Sequence, residues 1–472
     1  MAPIGETAGT DPVSPDAIGS YWLASCDDDL TPRPALTSDE TVDVAILGGG
    51  FSGLWTAWFL LQADPALSIA IVERQICGFG ASGRNGGWCS PRFPINPAAL
   101  TRRFGARTAR AMLFAQQAMV DEVGRICAQE GIDAHFNPVG VLTLARSASQ
   151  IPSLRQSYDA YARLGMADAC ELLDAGQARE AVHATEVQGA LRLRVGGTIH
   201  PGRLVRGLAR ALERRGVRIY EGTEVLQTSA GMQPALVTTG GTLCARRAVL
   251  LAGEAFLTSL PDYRRQLIPM ASTIMLTAPL TADRWDQVGW AGGECLSSYV
   301  HTTNYLTRTA DGRILFGSRG APYRYASDMS ETALRENANF GWIRDRLLEW
   351  WPSLEGVEFT HQWAGYLGVP RDWLPTVHFD SNRRIGHAYG YTGHGVITSA
   401  ISARALAGLV TGAAPDPHAP YLRRQAPSWE VEPLRWAGIR YVQNAFLRMD
   451  LAETAGKTPP LDAPLATFLG EP

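Results

Sequence analysis

Three glycines near the start of the chain have the spacing of a phosphate-binding turn. Gly48, Gly50 and Gly53 form the pattern G-x-G-x-x-G, directly after the apolar run 42–47 and directly before an apolar stretch. The first glycine permits a tight turn, the second lets a pyrophosphate approach the backbone, and the third lets a helix pack on the preceding strand. The N-terminus of that helix offers unpaired N–H groups to the phosphate. The pattern therefore predicts nucleotide binding.

An acidic residue follows at the place where a ribose needs a hydrogen-bond acceptor. Glu73 lies 20 residues beyond Gly53 and ends a second short apolar run, residues 68–72. In dinucleotide-binding βαβ units, a carboxylate at this place accepts hydrogen bonds from the ribose hydroxyls. Because strand, glycine turn, helix, strand and acid occur in that order, we predict that the nucleotide is a dinucleotide.

Two further glycine-rich segments exceed what a simple NAD dehydrogenase requires. Residues 78–87 read GFGASGRNGG, and residues 386–395 read GHAYGYTGHG ahead of an apolar stretch. The first segment would bring backbone close to a second, flat part of the dinucleotide. The second predicts a loop that opens a helix, whose N-terminus would stabilise the negative charge of a reduced flavin. Both segments favour a flavin dinucleotide.

The composition is that of an ordinary globular protein. The 472 residues are 46% hydrophobic and 19% charged, with a formal net charge of -3. This balance gives no electrostatic reason to expect nucleic acid or an anionic membrane as a partner. The N-terminus lacks the basic start and apolar segment of a secretion signal, and glycines interrupt the longest apolar stretch. We therefore expect a cytoplasmic protein.

Cysteine and lysine usage restrict the possible chemistry. Seven cysteines are scattered without a CxxC pair or histidines at zinc-binding spacing, so we expect reduced thiols and no metal site. Lys457 is the only lysine among 43 basic residues. Its place in the tail predicts that no lysine contributes to the core of an active site.

The rest of the chain alternates predicted helices and strands. Expected helices cover residues 98–131 (one long or broken helix), 152–165, 201–215, 328–350 and 396–411. Expected strands cover residues 140–144, 217–220, 248–253, 268–277 and 304–317, and residues 386–395 are predicted to be a glycine loop. Residues 1–40 are expected to be an extended or partly disordered lead-in, in which only Tyr21, Trp22 and Leu23 dock.

With these motifs the chain resembles the FAD-dependent amine oxidases of the D-amino-acid oxidase superfamily, in particular its gamma-glutamylputrescine, sarcosine and glycine oxidase branches. The similarity is carried by residues 43–73, 78–87 and 390–395, by HPGRLV at 200–205, LLAG at 250–253, WAGY at 363–366, RDWLP at 371–375 and PLRW at 433–436. The resemblance spans residues 20–450 and leaves the substrate open.

The resemblance implies an α/β fold with two discontinuous domains. These are a Rossmann-like FAD-binding domain and a smaller α+β substrate domain with an antiparallel or mixed sheet. The expected segments are a lead-in at 1–40, the FAD-binding domain at 41–97, 196–262 and 361–425, the substrate domain at 98–195 and 263–360, and a tail at 426–472.

The resemblance also implies which residues would hold FAD without a covalent bond. The ADP half would be held by Gly48, Gly50, Phe51, Ser52, Gly53, Glu73 and Arg74, with Val225 at the adenine and Ala252 and Gly253 near the pyrophosphate. The ribityl chain and the flavin would run along Gly80, Ala81, Ser82, Arg84, Asn85, Gly86 and Gly87, with Gly365, Gly393, His394, Gly395 and Val396 also at the cofactor. The bond is expected to be absent because Trp88 and Cys89 stand where some relatives carry a linking histidine.

By the same resemblance, the substrate is a small amine that is oxidised to an imine and hydrolysed to an aldehyde or keto acid, with electrons passed to O2. The expected pocket residues are Arg92, Tyr299, His301, Gly365 and Tyr366. Arg92 would bind an anionic group of the substrate, and the Gly365 carbonyl would face its nitrogen.

Three alternatives remain open at this point: an amine dehydrogenase that uses another electron acceptor, a flavin monooxygenase, and a flavin-binding protein without catalysis. A monooxygenase is expected to carry a Gly-Asp loop before its last helix, where this chain has GHAYGYTGHG. Several oxidase relatives place a lysine over the flavin. Here an arginine or histidine must supply that charge, or reoxidation by O2 is slow.

Overall fold

The computed structural model describes residues 19–319, 321–330, 334, 340–413 and 426–470. Its helices are α1 (Tyr21–Ala24), α2 (Phe51–Ala63), α3 (Pro97–Phe104), α4 (Ala106–Glu130), α5 (Ile151–Arg163), α6 (Ala175–Ala181), α7 (Pro201–Glu213), α8 (Ala282–Val288), α9 (Phe340–Trp350), α10 (Gly395–Thr411), α11 (Leu434–Thr454) and α12 (Ala463–Gly470).

The strands form two large sheets and one small one. They are β1 (Glu40–Leu47), β2 (Ile69–Val72), β3 (Trp88–Cys89), β4 (Val141–Ala145), β5 (Cys170–Leu173), β6 (Gly189–Leu193), β7 (Gly197–Thr198), β8 (Arg218–Tyr220), β9 (Val225–Ser229), β10 (Ala235–Thr238), β11 (Thr242–Leu251), β12 (Ile268–Thr277), β13 (Cys295–Ser298), β14 (Asn304–Arg308), β15 (Ile314–Ser318), β16 (Phe359–Val369), β17 (Thr376–Asp380) and β18 (Ile385–Tyr389).

The first large sheet is Rossmann-like and contains the predicted βαβ unit. Its order is β17-β18-β11-β1-β2-β8, and β10 and β9 extend from β11. Strands β18, β11, β1, β2 and β8 are parallel, whereas β17 is an antiparallel edge. Val44 pairs with both Ala248 and Ile69, so β1 lies at the centre of the sheet. The carboxyl end of β1, where ligands bind in such sheets, leads into the glycine turn.

Helix α2 is apolar on every side, and the structure explains why. All residues from Phe51 to Leu61 are buried, because α7 and α10 pack against α2 as well. A helix enclosed in this way has no solvent face and therefore needs no polar stripe. Its N-cap is Gly50, which has no capping side chain, and Ser82 Oγ accepts the Phe51 N–H at 2.8 Å from outside the helix.

The second large sheet is mixed, and the prediction was an antiparallel or mixed sheet. Its order is β16-β12-β15-β14-β13-β4-β6-β5. Neighbouring strands are antiparallel except β13 and β4, which are parallel with Cys295 opposite Val141. The long β12–β16 pair aligns Ser272 with Gly365 and Ala271 with Tyr366. This sheet therefore places β16 residues beside the first sheet's glycine turns.

Two of the predicted elements differ from the structure. The segment 386–389 is not loop but most of β18, which pairs with β11 and β17. Gly386 is needed there because an added Cβ would lie 2.8 Å from the His378 carbonyl oxygen. The strand expected at 304–317 is a hairpin, β14 and β15, because Gly312 with φ +78° turns the chain.

Other expectations are met in part. The predicted helix 98–131 is broken into α3 and α4 at Gly105, which has φ +78°. Within the predicted helix 328–350, residues 340–350 form α9, residues 328–330 are not helical, and residues 331–333 and 335–339 lie outside the described residues. In the lead-in, Tyr21, Trp22 and Leu23 are buried as expected but form the short helix α1, and residues 1–18 lie outside the described residues.

The division into an FAD-binding and a substrate domain stays a proposal, with the boundaries given above. The first sheet takes strands from 40–72, 218–251 and 376–389, and the second takes strands from 141–193, 268–318 and 359–369. Both sheets are thus discontinuous in sequence. In the part of the chain that the structure describes, no helix combines the length and apolar composition that crossing a bilayer requires.

We predict that Gly53→Ala destabilises the protein and weakens FAD retention. A Cβ on Gly53 would lie 2.0 Å from the Gly48 carbonyl oxygen, so α2 would have to move away from β1. Overpacking of this kind costs about 1–3 kcal/mol. Denaturant unfolding, together with the absorbance of flavin released by acid, measures both effects. Gly438→Ala is the matched control: this glycine lies in α11 with no atom within 4 Å of an added Cβ, so its stability should not fall. Equal stability of the two variants would contradict the proposed close packing.

Candidate active site

A single cavity of about 1090 Å³ runs between the two large sheets. The turn after β1 contributes Gly48, the end of β2 contributes Glu73, and β16 contributes Tyr366. The loop after β13 adds Tyr299, and the N-terminus of α10 adds Gly395. The cavity therefore joins the nucleotide motif of the first sheet to side chains of the second.

At the nucleotide end, a carboxylate holds the glycine turn in place. Glu73 Oε2 accepts the N–H of Gly49 at 2.8 Å, and its Oε1 accepts the N–H of Gln75 at 2.9 Å. Burial raises the pKa of Glu73, while these hydrogen bonds act to lower it. The carboxylate lines the cavity, so it is placed to accept hydrogen bonds from ribose hydroxyls as well.

The backbone of the turn comes close to its neighbours and leaves no room for side chains. Gly48 has φ +106°, and an added Cβ would lie 2.7 Å from the Ala252 carbonyl oxygen. Gly50 faces the cavity, and an added Cβ would lie 3.0 Å from Ser82 Oγ. Both glycines line the cavity, so a ligand at the N-terminus of α2 can approach their backbone.

The loop 78–87 crosses the middle of the cavity. Asn85 fixes its shape, since its Nδ2 donates to the Ala81 and Ser82 carbonyls and its Oδ1 accepts the Gly87 N–H at 2.8 Å. An added Cβ on Gly86 would lie 2.5 Å from the Tyr305 ring. The loop is therefore rigid and has the close packing that a flat ligand would require.

The turn before α10 is organised by a second buried carboxylate. Glu254 directly follows Gly253, and Glu254 itself has φ +50°. Its carboxylate accepts hydrogen bonds from the backbone N–H groups of Gly390 at 2.8 Å, Gly368 at 3.2 Å and Tyr391 at 3.4 Å. Burial raises the pKa of Glu254 to about 7, against the lowering effect of these hydrogen bonds. The carboxylate ties the end of β16 to the glycine turn ahead of α10.

His394, the N-cap of α10, is neutral at physiological pH. Burial lowers its pKa to about 3, and the positive charges of Arg319 and Arg92 act in the same direction. The positive charges of both guanidinium groups therefore reach the imidazole of His394. A neutral imidazole there can donate or accept a hydrogen bond but adds no positive charge.

Arg92 lies in the cavity without an acidic partner. Its Nη2 donates to Thr143 Oγ1, and its guanidinium lies 6.0 Å from the centroid of the Trp88 ring. Within the described ranges, no carboxylate comes within ion-pair distance of Arg92. The alternative that this arginine serves a structural ion pair thus has no support in the described residues.

The other expected pocket residues also line the cavity, with different surroundings. Burial raises the pKa of Tyr299, whose ring packs against the main core. The His301 N–H of the backbone donates to Asp450 of α11, and its ring lies 5.3 Å from that of Phe446. The hydroxyl of Tyr366 lies 3.5 Å from the Asp328 carbonyl.

The structure brings nearly all of the predicted cofactor residues into this one cavity. The cavity-lining members are Gly48, Gly50, Phe51, Ser52, Glu73, Arg74, Gly80, Ala81, Ser82, Arg84, Asn85, Gly86, Val225, Ala252, Gly253, Gly365, Gly393, His394, Gly395 and Val396. Gly53 and Gly87 are not among them. Gly53 packs under Gly48, and Gly87, with φ +72°, packs against the Ile199 carbonyl.

Sequence reasoning missed several charged residues that line the cavity, among them Arg319, Glu254 and Glu453. Arg319 follows β15, Glu254 follows the small residues that end β11, and Glu453 lies in the last turn of α11. The position of Glu254 directly after LLAG was a usable signal, because polar residues at the carboxyl ends of parallel strands reach ligand sites. Arg319 and Glu453 reach the cavity only through tertiary packing.

Lys457 lies at the cavity although it belongs to the C-terminal tail. Helix α11 returns across the second sheet, where Asp450 accepts N–H groups from His301 and Thr302, and this brings the residues after it to the cavity. Lys457 is exposed and lines the cavity beside Glu453, which accepts hydrogen bonds from Ser147 and Ser149. The only lysine therefore lies at the mouth, not among the buried residues.

The residues present fit an FAD molecule. The glycine turn leaves space at a helix N-terminus for a pyrophosphate, and Glu73 offers a carboxylate to a ribose. The rigid loop 78–87 and the turn ahead of α10 flank the next part of the cavity. Together the fold and this cavity define a flavin-dependent oxidoreductase.

The comparisons with known proteins agree. The sequence profile of the family DAO, FAD dependent oxidoreductase, matches residues 43–409, and the chain belongs to this family. It is 30% identical over 402 residues to gamma-glutamylputrescine oxidoreductase of Escherichia coli (strain K12), which covers 83% of this chain and 89% of that protein.

Solved structures share the fold. The crystal structure of glycine oxidase from Geobacillus kaustophilus superposes with a TM-score of 0.66 at 23% identity, over 82% of this chain and 99% of that one. L-proline dehydrogenase from P. horikoshii superposes with a TM-score of 0.62 at 18% identity, over 82% of this chain and 98% of that one. The two solved structures that share this fold are thus an oxidase and a dehydrogenase.

We predict that Glu254→Gln removes a pH-dependent part of the stability. The folded-state pKa of about 7 lies above the ordinary value, so the group favours folding below about pH 4.5 and loses this contribution as pH rises to about 7. The wild-type free energy of unfolding should therefore fall over this window, by on the order of 1–3 kcal/mol from this group. Glu254→Gln should reduce that fall.

Denaturant titrations of the FAD-loaded protein between pH 4.5 and pH 8 measure the effect. Glu358→Gln, which changes an exposed glutamate, is the control and should keep the wild-type pH profile. Identical profiles for Glu254→Gln and wild type would show that the carboxyl titrates normally in the folded protein.

Proposed function

We propose that this FAD-dependent oxidoreductase oxidises the C–N bond of a small primary or secondary amine. The observation that carries the proposal is Arg92, a guanidinium with no acidic partner among the described residues, in the same cavity as the flavin motifs. Support also comes from gamma-glutamylputrescine oxidoreductase and glycine oxidase, whose names specify nitrogen-containing substrates. The proposed FAD-contacting residues are the members of the predicted cofactor set that line the cavity, while Gly53 and Gly87 support the turns from behind.

In this proposal the bound FAD supplies the acceptor for two electrons and a proton. The chain's residues position a neutral amine for this step and exclude water. The Gly365 carbonyl accepts a hydrogen bond from the substrate nitrogen, and Arg92 binds an anionic group at the substrate's other end. Tyr299, His301 and Tyr366 complete the walls. The resulting imine is hydrolysed by water to an aldehyde or keto acid and an amine or ammonia.

The mouth of the cavity supports an elongated substrate. Ser153, Gln156 and Ser157 of α5 line the cavity, as do Glu453 and Lys457. A polar mouth of this kind suits a substrate whose remote end carries charge. The glutamyl group named in gamma-glutamylputrescine oxidoreductase is one such end.

We further propose that FAD is bound without a covalent bond and passes its electrons to O2, giving H2O2. Cys89, which follows the loop 78–87, and Cys295 are buried, and burial raises the pKa of both thiols. A thiol held protonated is a poor nucleophile. A dehydrogenase with another acceptor is the second candidate, favoured by the absence of a buried lysine among the described residues, since Lys457 is exposed.

A panel of amines tests the proposed function. The FAD-loaded protein is mixed anaerobically with polyamines, N-methyl amino acids, aminophosphonates and gamma-glutamylputrescine, and the absorbance of the oxidised flavin is followed. At least one amine should bleach the flavin. If no member does so while dithionite bleaches it fully, amine oxidation is excluded for this panel and the proposal fails.

We predict that Arg92→Ala raises the KM for an amine with an anionic group at least tenfold, a loss of about 1.4 kcal/mol. The cause is the lost charge-assisted hydrogen bonding to that group. Steady-state kinetics with matched anionic and uncharged amines measure it, and the uncharged amine should show a smaller change. Arg103→Ala, outside the cavity lining, is the control. An unchanged KM would remove Arg92 from substrate binding.

A further inference from the structure

Arg319 is a positive charge built into the wall of the cavity. It directly follows β15, and its Nη2 donates to the Thr392 carbonyl at 2.7 Å. Its guanidinium carbon lies 5.8 Å from the centroid of the Trp373 ring. Burial lowers the pKa of Arg319, as expected for a cation removed from water. An arginine stays charged even so.

This charge has no counter-ion in the described part of the chain. Among the described residues, no carboxylate lies within ion-pair distance of Arg319, whereas Arg371, for example, is paired with Glu430 at 3.1 Å. A buried charge without a partner is costly to folding. Two other buried ionisable groups at this cavity, Glu73 and Glu254, each accept backbone N–H groups that offset part of the cost of burial. Arg319 faces no opposite charge among the described residues, which indicates that an anion arrives with a ligand.

The surroundings of Arg319 specify where that anion lies. An added Cβ on Gly393 would lie 2.7 Å from Arg319 Nη2, so the guanidinium borders the turn that opens α10. The N-terminus of α10 contributes a second positive potential at the same point. His394 cannot be the cation there, because its pKa of about 3 leaves it neutral.

We propose that Arg319 is the fixed cation that stabilises the negative charge which FAD gains on reduction. Arg92, which bonds to Thr143 and borders Trp88, is then free for the substrate, so the two arginines have separate tasks. Arg319 thus supplies the charge that the exposed Lys457 does not supply from the mouth of the cavity. The proposal rests on the FAD-dependence of the family and needs no assumption about the amine.

Sulfite provides a test that requires no substrate. Its sulfur lone pair forms a bond to the flavin, and the flavin ring takes up the resulting negative charge, so sulfite affinity reports on a nearby cation. Titration of FAD-loaded Arg319→Gln should give a sulfite dissociation constant at least tenfold above wild type, and a lower reduction potential. Arg319→Lys should stay within about threefold at pH 7, because a lysine keeps the charge.

Arg371→Gln is the matched control, since Arg371 also lies by a tryptophan, Trp429, but is paired with Glu430 outside the cavity lining. It should bind sulfite like wild type. Unchanged sulfite affinity in FAD-loaded Arg319→Gln would overturn the proposal. A raised KM for an anionic amine with unchanged sulfite affinity would also overturn it, and would assign Arg319 to the substrate.

If Arg319→Gln does not retain FAD, Arg319→Lys decides the question. A lysine at this position loses its charge as the pH rises towards its ordinary pKa of about 10.4, and burial moves that loss to lower pH. Sulfite affinity of Arg319→Lys should therefore fall between pH 8 and pH 10 relative to wild type, which keeps its guanidinium charged. Parallel pH profiles for the two proteins would contradict a role for the charge at residue 319.

Discussion

The structure depends on one constraint: the two turns that line the cavity beside Glu73 and Glu254 are made of glycine, and glycine turns do not hold their own shape. Each is fixed by a buried carboxylate that accepts backbone N–H groups, Glu73 for the turn at Gly49 and Glu254 for the turn at Gly390. Glycine is required where the backbone passes close to neighbours, and a carboxylate replaces the order that side chains would otherwise provide. The burial of these acids is compensated only while the turns keep their shape.

The local part of this arrangement could be predicted from the sequence. Strand, turn, helix and acid follow each other within residues 42–73, and each depends on its neighbours in the chain. The strand at Gly386 was missed because its pairing with β11 is a long-range contact that outweighs the glycine content, while its pairing with β17 is a local hairpin. Arg319 and the position of Lys457 at the cavity were missed because only tertiary packing brings these residues there.

The acidic and basic side chains of the cavity differ in their partners. Acids near the nucleotide end are satisfied by backbone N–H groups, whereas Arg92 and Arg319 have no acidic partner among the described residues. Burial lowers the pKa of His394, and the charges of both arginines act in the same direction. The protein therefore enters the reaction with positive potential in place, which suits a reaction in which negative charge develops on the ligand.

The central claim is that this cavity holds FAD with its nucleotide end at Glu73 and its flavin end at α10. A crystal structure of the FAD-loaded protein tests it most directly. We expect the pyrophosphate at the N-terminus of α2, ribose hydroxyls within about 3 Å of the Glu73 carboxylate, and the flavin ring between the loop 78–87 and the turn at Gly393. Electron density for FAD outside the cavity, or in the reverse orientation with the flavin at Glu73, would contradict the account.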